Sequence, residues 1–217
     1  MNRIRLTYRS SLSATMIFIC LSCSTTGSND STTSSILPGS FSRSISWIAD
    51  TTHSSIQFKA RHTDVHDVIG WIDRYRIEVT SQKFDFSDAS IVASADLRTL
   101  MMPNMGMVRN LEQEGMFDVS RHPQAHFRGS VSRAALSGEL EVFGQLEIKE
   151  IEKPIRMKGS FNGFAYAETR GLPGFTIHGA FNRHDFNIGA RDTSKLGGAV
   201  GDSIHFTANL RLYVKEE

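Results

Sequence analysis

The sequence predicts an all-β protein, an eight-stranded antiparallel barrel with one short helix. Apolar and polar side chains alternate with period two through most segments, and only one segment departs from that period. The last segment is the clearest, because Ile204, Phe206 and Leu210 fall on one face while His205 and Asn209 fall on the other. One face of each strand should therefore be buried and the other exposed to water.

The same alternation, in stricter or looser form, marks the other strands. Short polar turns such as Ser137-Gly138 and Asn162-Gly163 make successive strands antiparallel neighbours. Eight strands of this kind close into a barrel that can enclose one small ligand. The predicted strands lie near residues 55–62, 71–79, 90–97, 125–131, 140–148, 155–161, 175–181 and 204–214.

The one segment without strand alternation lies between the third and fourth predicted strands. Asn104 is a suitable N-cap, helix-forming residues follow it, and Gly115 ends the run. Met105, Val108 and Leu111 share one side of this segment. We therefore predict the single helix here.

The first 22 residues have the composition of a signal peptide. Three arginines and no acidic residue accompany an apolar run that is about half as long as a bilayer span. Ser22-Cys23 resembles the junction at which a bacterial lipoprotein precursor is cleaved and its cysteine is lipidated. We predict a lipoprotein-type signal peptide over residues 1–22 and lipidation of Cys23. Ordinary secretion with incidental cysteines is the alternative.

Residues 23–45 are dominated by Ser, Thr, Gly and Asn, which predicts a flexible polar tether before a domain over residues 46–217. Cys20 and Cys23 are the only cysteines, so the domain has no disulfide and no thiolate metal site. Residues 1–22 hold three of the 24 basic residues and none of the 23 acidic ones, which leaves 21 basic against 23 acidic side chains. This balance argues against a nucleic-acid partner, which needs a concentrated basic face, and we expect none.

Four blocks of the chain resemble, in order, those of the YceI-like family of lipid- and polyisoprenoid-binding proteins. They are IADTTHSSIQFKARH with a glycine-aromatic pair after it, NLEQEGMFDVSRHPQAHF, GQLEIKEIEKPIRM and FNRHDFNIG, spread across roughly residues 46–215. The resemblance implies a lipocalin-like barrel with a helix at one end and an apolar tunnel that holds a long isoprenoid chain in the periplasm. Two positions depart from the family, because Glu150 and Asn187 stand where it usually has glycine.

The inward faces of the predicted strands supply the candidate tunnel wall. Small inward residues, among them Gly129, Gly144, Gly159 and Gly179, favour an open tunnel, whereas 14 phenylalanines favour a barrel filled by its own side chains. The sequence leaves both possibilities open. The residues expected in the wall are Ile56, Phe58, Ala60, His62, Ile91, Ala93, Phe127, Val142, Leu146, Met157, Phe181 and Phe206.

Three histidines within residues 53–66 raise the question of a metal site. Alternation turns His62 inward, whereas His53 precedes its strand and His66 follows it, so no regular element brings the three rings together. We expect no metal site here. Histidines at a strand end are more often hydrogen-bonded to neighbouring groups.

A second polar group is Arg183, His184 and Arg191, which could meet the head group of a ligand. The alternative is that Arg183 pairs locally with Asp185 and stabilises the turn. No nucleophile motif, phosphate-binding glycine loop or spaced carboxylate pair is present. We therefore expect a binding protein without cofactor or catalytic activity.

These expectations describe a periplasmic or cell-envelope carrier that holds a long-chain apolar lipid, with a polyisoprenoid as the expected class. An N-terminal lipid on Cys23 would anchor it to the membrane, and otherwise it would be secreted. The alternative is a non-catalytic envelope interaction or stress module with a self-filled barrel. The sequence makes no prediction of oligomeric state.

Overall fold

The computed structural model describes residues 39–134, 137–167, 170–192 and 198–216. The predicted signal peptide over residues 1–22, Cys23 and the predicted tether up to residue 38 lie outside the described residues. The first strand begins at Ser40, inside the stretch predicted as tether.

The described residues contain one α-helix and eleven strand segments. The helix α1 spans Met105–Glu112. The strands are β1 (Ser40–Ala49), β2 (Ser55–His62), β3 (His66–Ile72), β4 (Tyr75–Lys83), β5 (Ser90–Asp96), β6 (Leu100–Met101), β7 (Gln124–Ala134), β8 (Glu139–Ile148), β9 (Ile151–Ala167), β10 (Arg170–Asn182) and β11 (Val200–Val214).

Eight of the strands form a closed antiparallel barrel. They follow the order β1-β4-β5-β7-β8-β9-β10-β11, and the pairing of β1 with β11 closes the ring. β2 continues along β11 beyond the end of β1, and β3 pairs with β2. The predicted eight-stranded barrel with one helix is therefore confirmed.

The observed strands differ from the sequence prediction in several places. The predicted strand 71–79 is broken after Ile72, because Thr99 bonds into the gap: its carbonyl accepts from the amide of Asp73 and its hydroxyl from the amide of Arg74. The sequence also missed β1, whose first half is too polar to show alternation. Pairing with β4 and β11 holds β1 in the sheet.

Asn162-Gly163 is a bulge inside the hairpin of β9 and β10, and its prediction as a turn was wrong. Gly174 pairs with Gly163 and Phe175 with Phe161, so Asn162 is an extra residue in β9. The hairpin continues to Ala167 and Arg170. Ser137-Gly138, in contrast, lies between β7 and β8 as predicted.

The helix begins as the sequence predicts. The side-chain oxygen of Asn104 accepts a hydrogen bond from the amide of Gly106 at 2.7 Å, which is an N-cap. Val108 is the buried residue of α1. No helix in the described ranges has the length and apolarity that a membrane span requires.

Candidate ligand-binding site, an apolar tunnel through the barrel

An apolar cavity of about 220 Å³ extends between the two ends of the barrel. One end, called the helix end, carries α1, the turn at Lys149-Glu150 and a 3₁₀ turn at residues 183–186; the other, called the terminal end, carries the turn at residues 84–89 and the end of β11. Leu140 and Ile148 both line the cavity and lie on β8 about 26 Å apart along the strand. At the usual strand tilt this is about 20 Å along the axis, so the cavity is a narrow tunnel.

Ten of the twelve residues predicted for the wall line this tunnel. Ala60 and His62 do not, although both lie on β2. Ala60 is buried, and His62 lies at the end of β2 with its ring centroid 5.3 Å from that of His66. Alternation predicts on which face of a strand a side chain lies. It does not predict along how much of that strand the cavity extends, and the cavity does not reach Ala60 or His62. The ten are Ile56, Phe58, Ile91, Ala93, Phe127, Val142, Leu146, Met157, Phe181 and Phe206.

Glycines lie beneath the phenylalanine rings of the wall. Phe206 on β11 pairs with Gly179 on β10, and its ring occupies the space that a Cβ atom at Gly179 would need. Phe58 on β2 covers Gly70 on β3 in the same way. A ring that lies against the wall takes up less of the lumen than one that points toward the barrel axis.

The same arrangement recurs on the neighbouring strands. Gly129 and Gly144 pair across β7 and β8, and the tip of the Phe127 ring lies 2.6 Å from the position of a Cβ atom at either glycine. Ile177 covers Gly159 on β9. The small residues and the phenylalanines therefore act together, because the glycines allow the rings to lie within the wall.

Polar groups contribute little to the tunnel. Among the described residues that line it, Ser94 and His126 are the polar ones, and no charged side chain is present. Ser94 and His126 are cross-strand neighbours at positions that alternate with the inward-facing Ala93 and Phe127. A ligand inside the tunnel would therefore be held by burial of apolar surface.

Two chain segments close the helix end. Met116 and Phe186 form a buried cluster with Ile148 of β8. The amide of Gly189 donates to the carbonyl of Gly115 at 2.7 Å, which joins the two segments directly. The closure thus combines apolar packing with a backbone hydrogen bond.

Lys149 joins the same two segments through hydrogen bonds, and no pattern in the sequence predicted this role. Its Nζ donates to the carbonyl oxygens of Met116 and Asn187, each at 2.9 Å. Lys149 and Glu150 have φ values of 54° and 63°, as a type I′ turn requires. A lysine in a two-residue turn does not by itself indicate which carbonyl groups it will reach.

Asn187, the second departure from the family pattern, ends the 3₁₀ turn at residues 183–186. Its backbone is left-handed, with φ 53° and ψ 42°. Asparagine adopts this conformation more readily than other residues with a side chain, so it can replace glycine here.

Arg183 is buried and holds together the loop that closes the helix end. Its Nε, Nη1 and Nη2 donate to the carbonyl oxygens of Gly201, Ile188 and Val200 at 3.1, 2.8 and 2.8 Å. Burial lowers the pKa of the Arg183 guanidinium, yet an arginine remains protonated in proteins. Because its donors are directed at backbone oxygens, Arg183 is not available to a ligand head group.

The other two predicted head-group residues lie near this loop. Nε2 of His184 is 2.8 Å from Oδ1 of Asp202, and Arg191 is exposed. Neither lines the tunnel. The sequence offered a local ion pair between Arg183 and Asp185 as the alternative. In the structure, the acidic partner of Arg183 is Asp202 instead, with Nη2 of Arg183 3.9 Å from Oδ1 of Asp202. A head-group role for His184 and Arg191 stays a prediction.

His53 belongs to a polar cluster at the break between β1 and β2. Nδ1 of His53 lies 2.9 Å from Oδ2 of Asp50, and the Arg211 guanidinium donates to the same carboxylate. The Ser54 hydroxyl donates to the carbonyl of Arg211 and accepts from its amide. The cluster ties the break between the strands to β11, which is a structural role for His53.

The described ranges show no cluster of metal-ligating side chains. They contain no group of three or more His, Cys, Asp or Glu side chains placed to hold a metal ion. His53 is bonded to Asp50, and His62 lies beside His66. The expectation of a protein without cofactor and without catalytic activity stays a prediction.

Comparison with known families matches the YceI-like domain to residues 47–212, which run from β1 to β11. The chain belongs to the YceI-like family. Similar curated proteins include UPF0312 proteins of Staphylococcus aureus strains MSSA476 and USA300. This YceI-like chain is 25% identical to each over 170 residues, which cover 77% of this chain and 96% of the relative.

Solved structures share the YceI-like barrel. BcnA of Burkholderia cenocepacia superposes with a TM-score of 0.64 at 18% identity, over 75% of this chain and 98% of that one. The YceI protein of Campylobacter jejuni gives 0.59 at 18% identity, over 70% and 88%. A polyisoprenoid binding domain from Saccharophagus degradans, described as implicated in plant cell wall breakdown, gives 0.56 at 11% identity, over 79% and 99%. At these identities the likeness is one of fold.

Proposed function

We propose that this YceI-like protein binds and carries a long-chain apolar lipid in the barrel tunnel, with a polyisoprenoid as the favoured class. The observation that carries the proposal is a continuous tunnel of about 220 Å³ in which the described lining residues include no charged side chain. Engineered apolar cavities of about 150 Å³ stay dry and take up small hydrocarbons. The tunnel is therefore suited to a hydrocarbon ligand.

The length of the tunnel favours a linear chain. An extended chain advances about 1.2 Å per bond, since three backbone bonds of a peptide span at most about 3.6 Å. In length alone, a tunnel of about 20 Å corresponds to about sixteen main-chain atoms, or about four isoprene units. At about 0.8 kcal/mol per buried methylene-sized group, each isoprene unit contributes on the order of 4 kcal/mol before the costs of ordering.

Two further observations support the proposal. The phenylalanine rings lie against glycines of the wall, so aromatic side chains do not fill the lumen. The Saccharophagus degradans domain that shares this barrel is described as polyisoprenoid-binding. We propose a carrier without catalytic activity, because a wall of this composition offers few groups for acid-base or nucleophilic chemistry.

We propose that the carrier is localised in the cell envelope, where it lies in the periplasm and is anchored to the membrane through a lipid on Cys23. The support is the signal-peptide composition of residues 1–22 and the Ser22-Cys23 junction. An acyl anchor would keep the carrier next to the source of its ligand.

Extraction of the purified protein tests the function. Protein made in a bacterial envelope is extracted with organic solvent, and the extract is analysed by mass spectrometry. We expect a co-purified apolar molecule, and uptake of linear prenols by the delipidated protein. A clean extract together with no uptake of prenols would contradict the carrier and favour a self-filled barrel with an interaction role.

A further inference from the structure

We infer that Phe86 is the end wall of the tunnel and selects ligands by chain length, with the apolar tail of the bound chain against its ring. The inference rests on the proposed function, because it specifies where the two ends of a bound lipid lie and how long the lipid can be.

Phe86 lies in the turn between β4 and β5 at the terminal end. Its side chain is fully buried and lines the tunnel. The turn bends inward, with hydrogen bonds from the amide of Phe86 to the carbonyl of Lys83 and from the amide of Ala89 to the carbonyl of Phe86. The Asp88 carboxylate holds the turn to β4, since it accepts from the Ser81 hydroxyl at 2.5 Å.

The backbone of Phe86 is strained. Its φ is 58°, and a positive φ is a genuine outlier for a bulky residue. Such a conformation persists only where its surroundings hold it, and it is found at functional sites more often than elsewhere. At Phe86 the strained turn directs the ring across the end of the tunnel.

Other aromatic rings hold Phe86 in this position. Its ring meets Phe175 edge to face with centroids 4.9 Å apart, and its centroid lies 5.6 Å from Phe161 and 6.4 Å from Phe164. Trp47 adds a further ring at 5.7 Å. Phe161 and Phe164 do not line the tunnel, so they lie behind the end wall.

The composition of the terminal end fixes the orientation of the ligand. A polar head pressed against Phe86 would lose its water without gaining a hydrogen bond from the phenylalanines behind it. Ser94 and His126, which border the tunnel at positions that alternate with its inward-facing residues, lie near the other ends of β5 and β7, toward the helix end. The tail of the ligand therefore lies against Phe86 and its head toward the helix end.

The spacing of the rings sets the expected change in length preference. Phe161 is the next ring behind the wall, 5.6 Å from Phe86. At about 1.2 Å per bond, this distance corresponds to about one isoprene unit. Removal of the Phe86 ring should therefore lengthen the preferred ligand by about one unit.

The test measures binding of linear prenols that differ by single isoprene units to the delipidated full-length protein. Wild type should prefer about four units, and Phe86→Ala about five, with at least about tenfold tighter binding of the longer prenol than wild type shows. Phe86→Trp should shift the preference to shorter prenols. Phe164→Ala is the matched control, because its ring belongs to the same cluster but does not line the tunnel.

Phe86→Gly is the second variant if Phe86→Ala folds poorly, since glycine accepts the positive φ without strain. Circular dichroism confirms folding of each variant. An unchanged length preference in a folded Phe86 variant, or an equal shift in Phe164→Ala, would overturn the inference while leaving the carrier function intact. Failure of the wild type to bind any prenol would overturn both.

Discussion

The ring of Phe206 on β11 lies over the backbone of Gly179, its cross-strand partner on β10, in the space that a Cβ atom would need. Phe58 and Gly70 repeat the relationship on β2 and β3. Because the rings occupy the wall, a chain with 14 phenylalanines keeps an open lumen. The openness of the tunnel therefore depends on its glycines.

Gly179→Ala should narrow the tunnel. The added methyl group displaces the Phe206 ring toward the lumen, and we expect at least about tenfold weaker prenol binding and a loss of about 1–3 kcal/mol in the free energy of unfolding from overpacking. Gly174→Ala on the same strand is the control, because the nearest atoms beyond its chain neighbours lie 3.8 Å from the added carbon, an ordinary van der Waals contact. Wild-type affinity in Gly179→Ala would show that the ring moves elsewhere.

Ala93→Trp should block the tunnel, because Ala93 lines it. We expect prenol binding to be lost with little change in thermal stability, since the indole enters space that the ligand would otherwise occupy. Val92→Trp is the control, because Val92 is 55% exposed on the outer face of the same strand. If the barrel is self-filled, Ala93→Trp should instead destabilise it by about 1–3 kcal/mol in thermal or urea unfolding.

Glu150→Gly should stabilise the protein by about 0.5–1 kcal/mol. Glycine relieves the cost of a left-handed backbone, about 1–2 kcal/mol, and part of this gain is offset by its greater freedom in the unfolded chain. Urea unfolding measures the change. Glu152→Gly, inside β9, should destabilise the protein, and an equal loss at Glu150 would contradict strain in the turn.

Asp50→Asn should lower the free energy of unfolding mainly at neutral pH. The hydrogen bond from Arg211 holds the pKa of Asp50 below its ordinary value of 3.8. A carboxyl whose pKa is depressed by folding stabilises the protein above its unfolded pKa, and this contribution disappears as the pH falls through the folded pKa.

The side chains of Asp50 and Arg211 are 20% and 30% exposed to solvent, and water weakens their interaction. We therefore expect Asp50→Asn to lower the free energy of unfolding by only about 1 kcal/mol at pH 7. The difference from wild type should shrink as the pH falls below 3.8. Unfolding measured across the acid range checks this, with the exposed Glu114→Gln as control. A difference that is constant with pH would show that the charge of Asp50 contributes nothing.

Cys23→Ser should abolish acylation and block lipoprotein-type processing, so that the precursor keeps residues 1–22. Cys20→Ser should have much less effect, because Cys20 follows the bulky Ile19 whereas Cys23 follows the small Ser22. Intact-mass measurement of detergent-extracted protein checks the modification. An unmodified N-terminus in the wild type would indicate a plain secreted carrier.

Period-two alternation by itself determined the class of the fold and most of the tunnel wall. Residues such as Val142 and Leu146 on β8 could be placed inward because side chains of a strand alternate between its two faces. The N-cap at Asn104 was equally readable, since a cap depends on residues that are close in sequence. These features rest on local geometry.

Only the tertiary structure decided how the barrel is closed and how long its tunnel is. Thr99 breaks one strand, Lys149 joins two end segments, Arg183 bonds to carbonyls of its own loop and of β11, and Phe86 closes the terminal end. Each of these depends on groups far apart in the chain or on a turn whose direction the packing selects. Alternation describes one strand at a time, whereas the lumen is set by which glycine lies beneath which ring on the neighbouring strand.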